Sequence, residues 1–246
     1  GKSVDLGGRR IIKKKNLSIH LLFLSLILLS GCQEPKIKEQ DQLKQIDQFL
    51  KAAHKEDRFH GSVTIGNQDS VLYELHLGIA NRNWDIPIDN KTRFDIASIN
   101  KSFIAGLVLL AIEEGKLKPE SRLTDLLKNY RYSGNFNDSI TIHHMLTHSS
   151  GLPDYDGVSS DMSANGFTKF KRLHFTNEAY VDYISNIQPI AIPDQRFYYS
   201  NFAYHLLCII LEGLYQQPCQ DLLQEKICQP LNLKNTYSST ENEAVA

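Results

Sequence analysis

The sequence predicts a mixed α/β chain of the α+β kind, in which a small antiparallel sheet lobe joins a mainly helical lobe. Three observations predict it. Gly61-Ser62-Val63-Thr64-Ile65-Gly66 and the run from Ser70 to Gly78 are β-rich and are joined by Asn67-Gln68-Asp69, the pattern of an antiparallel hairpin. Apolar residues then recur at helical spacing over Phe103, Leu107, Leu110 and Ala111, and again over Leu206, Leu207, Ile209, Ile210 and Leu214. Between the two patterns, Phe94-Asp95-Ile96-Ala97 leads in extended fashion into Ser98 and the first long helix. The chain has 246 residues and 41% hydrophobic content, enough for one sizeable core or two small lobes.

The N-terminal stretch has its own logic. Lys13-Lys14-Lys15 precedes an apolar run from Leu17 to Leu29, followed by Ser30-Gly31-Cys32. A basic flank, a short apolar core and a small-residue exit describe a secretory signal over residues 1–31, with a short membrane anchor as the alternative. A spanning helix usually needs about 20 apolar residues. Removing 1–31 takes away six Lys/Arg and one Asp, leaving 21 basic against 27 acidic residues and a net charge of −6. That balance argues against nucleic acid as a partner and against electrostatic membrane binding. Leu29-Ser30-Gly31-Cys32 resembles a bacterial lipobox. The resemblance implies lipidation of Cys32, a lipid-anchored protein of the cell envelope facing the periplasm, and, with Gln33 rather than Asp next, permitted sorting to the outer membrane.

The remaining elements follow in order. Residues 32–40 read as a polar tether before a domain over 41–246. Leu43, Ile46, Leu50 and Ala53 mark an amphipathic helix. His76 reads as a solvent-facing strand residue, and Trp84 and Pro87 as packing anchors in a loop from Asn81 to Thr92. Gly115 stops the helix that Ser98 begins. Leu117 to Leu127 forms short helical or irregular segments, and Ile140 to Pro153 a second helix ending in a turn. Residues 154–175 form a long polar loop, and Phe175 to Ile187 is helical. Pro189 and Pro193 bracket an extended approach to Tyr198-Tyr199-Ser200-Asn201, which opens the buried helix 202–215. Cys208 reads as a buried spectator in it. Cys219 and Cys228 either pair or stay as two free thiols. His144 and His148 stand four apart, but Met145 replaces the Glu that a zinc-protease motif requires, so no metal or other cofactor is implied.

Ser98 and Lys101 are the candidate chemistry. Residues three apart on a helix share a face, so the two side chains can touch, and serine becomes a useful nucleophile only beside a base. The competing reading makes Ser98 a helix cap with Lys101 in solvent. Tyr199 lies about 100 residues on, at another loop-to-helix junction, where a phenol can relay a proton between serine and leaving group. Asn201 offers a donor and an acceptor for Lys101 and for a substrate amide. The alternative there is a core aromatic followed by an Asn N-cap.

Taken in order, these blocks resemble the serine β-lactamase and penicillin-binding-protein superfamily, in its class C, DD-carboxypeptidase and family VIII esterase branch. The blocks are Gly78-Ile79-Ala80-Asn81, the segment Phe94 to Phe103 around Ser98-Ile99-Asn100-Lys101, Leu146-Thr147-His148-Ser149-Ser150-Gly151-Leu152, Phe197-Tyr198-Tyr199-Ser200-Asn201 and Pro230-Leu231-Asn232-Leu233. The resemblance implies a β-lactamase/transpeptidase-like fold, with Ser98 as acylated nucleophile, Lys101 as its proton partner, Tyr199 as general base and acid, and Asn201 as a substrate contact. It implies hydrolysis of D-alanyl peptides, β-lactams or small esters, including peptidoglycan-type acyl substrates, without a cofactor. The family's third motif, Lys-Thr-Gly or His-x-Gly on a sheet strand, does not occur before Ala246. The expectation is therefore the N-terminal portion of a longer hydrolase, its last sheet strands missing and this stretch inactive by itself. A penicillin-binding sensor of the same fold that does not turn over is the alternative.

Overall fold

The computed structural model describes residues 39–155 and 174–238. The expected signal segment, Cys32, the expected tether up to residue 38 and most of the expected 154–175 loop lie outside the described residues. The chain divides into two compact units, up to Asn90 and from Lys91.

In the first unit, helix α1 (Glu39–Lys55) begins two residues earlier than the sequence suggests, taking in the end of the expected tether. Its acidic first turn (Glu39, Asp41) and basic last turn (His54, Lys55) both complement the helix dipole. Asp47 pairs with Lys51 at 2.9 Å and accepts the Tyr73 hydroxyl at 3.1 Å, which ties α1 to the sheet. Strands β1 (Gly61–Gly66) and β2 (Val71–Leu77) form the expected antiparallel hairpin, in register from Gly61 opposite Leu77 to Ile65 opposite Tyr73. The turn is held by Asn67, whose Oδ1 accepts from the backbone N–H of Asp69 and Ser70. A second small hairpin, β3 (Ile79–Asn81) with β4 (Ile86–Pro87), extends into what the sequence suggests is loop from Asn81 onward. Trp84 at its tip is 76% exposed, so it is not a packing anchor. His76 is half-buried instead of solvent-facing, because Ser62 Oγ and Glu74 Oε1 hold its two ring nitrogens at 2.9 and 3.1 Å.

The second unit is helical and carries the large core. A 3₁₀ turn (Ala97–Ile99) runs directly into α2 (Asn100–Glu113). Short helices α3 (Leu123–Leu126) and α4 (Ile142–Leu146) follow, then α5 (Asn177–Ser185), α6 (Asn201–Tyr215) and α7 (Cys219–Leu223), which continues as a π-helical turn over Gln224–Cys228. Helix α4 is shorter than expected because a capping box between Thr141 and His144 starts it and His148, at φ 56°, turns the chain away.

Helix α6 is the central element. Phe202, Leu206, Leu207, Ile209 and Leu211 have at most 1% of their surface exposed, and Leu107 and Val108 of α2, Met145 of α4 and Ile184 of α5 complete the same cluster. The helix is almost apolar all round, as a helix buried on most faces must be. Its N-cap is Ser200, fully buried, whose Oγ accepts from Ala203 N–H at 3.1 Å and donates to Pro153 carbonyl at 2.6 Å. A buried hydroxyl that both donates and accepts carries no desolvation penalty left unmet.

A candidate serine, lysine and tyrosine site

Two segments a hundred residues apart build the site, and the backbone explains how each is placed. Ser98 sits in the 3₁₀ turn and Lys101 in the first turn of α2. In a 3₁₀ turn, side chains three apart eclipse, and Lys101 Nζ stands 3.4 Å from Ser98 Oγ. Ala97, immediately before the serine, has φ 44°, a left-handed conformation that costs an L-residue about 1–2 kcal/mol. Asp95 Oδ1 steadies it by accepting the Ala97 N–H at 2.8 Å. Strain of this kind clusters at functional sites. Ser98 is not a cap: Ile96 and Ile99 occupy the N-cap positions of the turn and of α2, and neither makes a side-chain cap bond.

The second segment is laid down by main-chain pairing. Gly151 carbonyl accepts from Ile190 N–H at 3.0 Å, Ser149 carbonyl from Asp194 at 2.8 Å, and His148 carbonyl from Tyr198 at 2.7 Å. Gly151 must be glycine, since its φ is +72° and a Cβ would lie 2.0 Å from the Ala191 carbonyl oxygen. This pairing delivers Tyr199, whose hydroxyl donates to Ser98 Oγ at 2.7 Å. Lys101 Nζ also lies 4.9 Å from the centre of the Tyr199 ring and 5.7 Å from that of Tyr204, so the cation faces two aromatic π-systems. Ser98 is exposed, while Lys101, Tyr199 and Asn201 are half-buried.

Asn201 is the first residue of α6, with Ser200 as the cap, and its side chain is therefore free for other bonds. Its Oδ1 accepts from Lys101 Nζ at 2.7 Å. Its Nδ2 faces both carboxylate oxygens of Asp154 at 3.0 and 3.1 Å, and its backbone N–H donates to Asp154 Oδ1 at 2.9 Å. The chain Asp154–Asn201–Lys101 thus fixes the amide orientation and the ammonium position together. With both amide ends engaged, a substrate donor would meet the second lone pair of Oδ1.

Sequence reasoning passed over Asp154 and the role of His148. The His148 ring lies 4.5 Å from the Tyr199 ring and 5.0 Å from that of Tyr204, and its Nδ1 accepts the Ser200 N–H at 3.2 Å. An accepting Nδ1 requires the neutral imidazole. Burial, and secondarily the Lys101 charge, lower the His148 pKa below its ordinary value, against an opposing pull from Asp154. His144, four residues back, is instead used in its helix cap. The available signal for both residues was position: His148 lies within the Leu146–Leu152 block, and Asp154 follows directly after Leu152-Pro153. Ser98, Lys101 and Asn201 open onto a cleft of ≈ 1110 Å³ whose lining also includes Cys208, Cys219 and Tyr237.

The chain is similar to known proteins over most of its length. The family model described as Beta-lactamase matches residues 46–246. Penicillin-binding protein 4* of Bacillus subtilis (strain 168) is 26% identical over 80% of this chain and 42% of its own. Esterase EstB of Burkholderia gladioli is 27% identical over 82% of this chain and 53% of its own. The crystal structure of a penicillin-binding protein from Bacillus halodurans superposes with a TM-score of 0.66 at 24% identity, covering 79% of this chain and 59% of that one. The chain spans about half the length of the curated relatives it matches.

Proposed function

The chain belongs to the beta-lactamase family, and on that premise we propose that it is a serine hydrolase that forms an acyl-enzyme on Ser98. The observation that carries the proposal is the meeting of two groups at one oxygen: Ser98 Oγ has Tyr199 OH at 2.7 Å and Lys101 Nζ at 3.4 Å. Two hydroxyls in contact can exchange donor and acceptor roles. In the reacting form Tyr199 is the phenolate, its negative charge offset by the Lys101 cation alongside; as Ser98 Oγ attacks the acyl carbon, the Ser98 proton passes to that phenolate oxygen. Collapse of the tetrahedral adduct breaks the bond to the leaving group, which takes the proton back from Tyr199. Water then attacks the acyl-serine by the same path in reverse and releases the acid. Lys101 is held for this by Asn201, and Asn201 by Asp154.

The substrates proposed are D-alanyl peptides, β-lactams and small esters, all acyl compounds whose carbonyl an exposed serine beside an open cleft can reach. Similar proteins bear the names penicillin-binding protein, beta-lactamase and esterase, which supports this range. The proposal also places the protein at the bacterial cell envelope through a lipid on Cys32. Metabolic labelling with a fatty-acid analogue, lost in Cys32→Ala, tests that part.

The full-length protein incubated with a fluorescent penicillin and, separately, a fluorophosphonate should become labelled, and Ser98→Ala should not. Loss of the penicillin label with time and release of product would mark a hydrolase. A permanent label would mark a sensor, and absence of any label would remove Ser98 as the nucleophile.

A further inference from the structure

The three cysteines among the described residues are not equivalent. Cys208 projects from α6, Cys219 opens α7, and their sulfurs stand 2.7 Å apart. Cys228 ends the π-helical turn, is 2% exposed, and is a free thiol that meets no other cysteine among the described residues. All three are free thiols, which is one of the two readings the sequence left open for Cys219 and Cys228, and the sulfur that lies beside Cys219 is that of Cys208. A disulfide needs its sulfurs at about 2.05 Å, so the pair must close by only about 0.7 Å. The surrounding backbone is already arranged for this approach. Gln216 at φ 54° ends α6, Pro218 caps α7, and Glu212 Oε1 accepts the Cys219 N–H at 2.8 Å. Both cysteines line the open cleft that holds Ser98 and both keep part of their surface exposed, which offers a small disulfide in solution a route to Cys219.

We propose that Cys208 and Cys219 are a dithiol that closes to an intramolecular disulfide, clamping the start of α7 to α6, while Cys228 stays reduced. The inference rests on sulfur geometry and stands or falls independently of the hydrolase proposal. The oxidant is a disulfide of the glutathione class. The Cys219 thiolate attacks one glutathione sulfur, forming a mixed disulfide and releasing the first glutathione as thiolate. Cys208 then loses its proton and attacks the Cys219 sulfur, and the second glutathione leaves. Two protein thiols and one oxidised glutathione become one protein disulfide and two reduced glutathiones. Cys208 is the later thiol in this order: its contact with Cys219 and its burial both push its pKa up.

The chain's own cleavage sites make the test direct. Trypsin leaves Cys208 and Cys219 together on the peptide 197–226 and Cys228 on the peptide 227–234. The folded protein, with Cys32→Ser to remove the remaining thiol, is incubated with oxidised glutathione, alkylated under denaturing conditions, digested and weighed. The expected result is a peptide 197–226 lighter by two hydrogens and free of alkyl groups, beside a fully alkylated 227–234. Cys228→Ser should leave that result unchanged, and the oxidised protein should melt higher than the reduced one by on the order of 5 °C. A cross-link between the two peptides would overturn the assignment, as would a doubly alkylated 197–226 or a glutathione adduct that never resolves.

Discussion

Replacing Asp154 with alanine is the most informative perturbation of the site, because Asp154 touches neither Ser98 nor Tyr199 and acts through two intermediates. Its carboxylate accepts three bonds from Asn201, at 2.9, 3.0 and 3.1 Å. Hydrogen bonds to a charged group contribute about 1.5–3 kcal/mol each, but three bonds between the same two residues are lost as one unit. The expected cost is therefore about 2–4 kcal/mol, read as a fall in Tm of about 5–10 °C. The catalytic effect has a separate origin. With Asp154 gone the Asn201 amide can rotate, and Lys101 Nζ loses the fixed acceptor at 2.7 Å that holds it beside Ser98. A misplacement of about 1 Å costs on the order of 10²-fold in rate. The second-order constant for fluorophosphonate labelling of Asp154→Ala, measured well below its Tm, should fall about 10- to 100-fold. Asp154→Asn keeps the shape and one acceptor and should lie between. A labelling constant for the alanine variant within about twofold of the parent would show that the Asp154–Asn201–Lys101 chain does not position the lysine, and the reasoning would fail.

Three further expectations concern the support of the site. His148 is kept neutral by burial, so its native pKa lies below the ordinary imidazole value of 6.5 and the unfolded chain binds the proton more readily. Stability from this group is therefore complete above about pH 6.5 and is lost as pH falls through the lowered native pKa; urea midpoints from pH 7.5 to 5 should fall less steeply in His148→Asn. Gly151→Ala must place a Cβ 2.0 Å from the Ala191 carbonyl at φ +72°, so it should lose more than the about 1–2 kcal/mol of left-handed strain alone, visible as a drop in Tm together with loss of labelling. Ser200→Ala removes the α6 cap and leaves the Pro153 carbonyl without its 2.6 Å donor, which should cost about 2–3 kcal/mol in chemical denaturation.

The hairpin at 61–77 was legible because alternation and an Asn turn are local signals, and α6 was legible because a nearly all-apolar run of that length has to be buried. Ser98 and Lys101 were legible as a pair through simple spacing. The sequence alone could not decide whether Ser98 or Asn201 was a cap, because cap and catalytic side chains share the same residue types. The structure gives the α6 cap to Ser200 and so frees the Asn201 amide. Asp154 and His148 act through chain segments that meet across long separations, and the Cys208–Cys219 contact through the turn that folds α7 back on α6; no periodicity encodes either. Trp84 misled because a large aromatic suggests packing, whereas here it sits at the tip of a small hairpin.

The central claim is that the Ser98 hydroxyl is the group that takes the acyl chain, and mass mapping tests it most directly. Trypsin releases Ser98 on the peptide 94–101, Phe-Asp-Ile-Ala-Ser-Ile-Asn-Lys. After brief exposure of the folded protein to a penicillin or a fluorophosphonate, that peptide alone should carry the mass of the adduct, and Ser98→Ala should carry none while keeping the parent's Tm. An adduct on another residue, or one that survives in Ser98→Ala, would contradict the account.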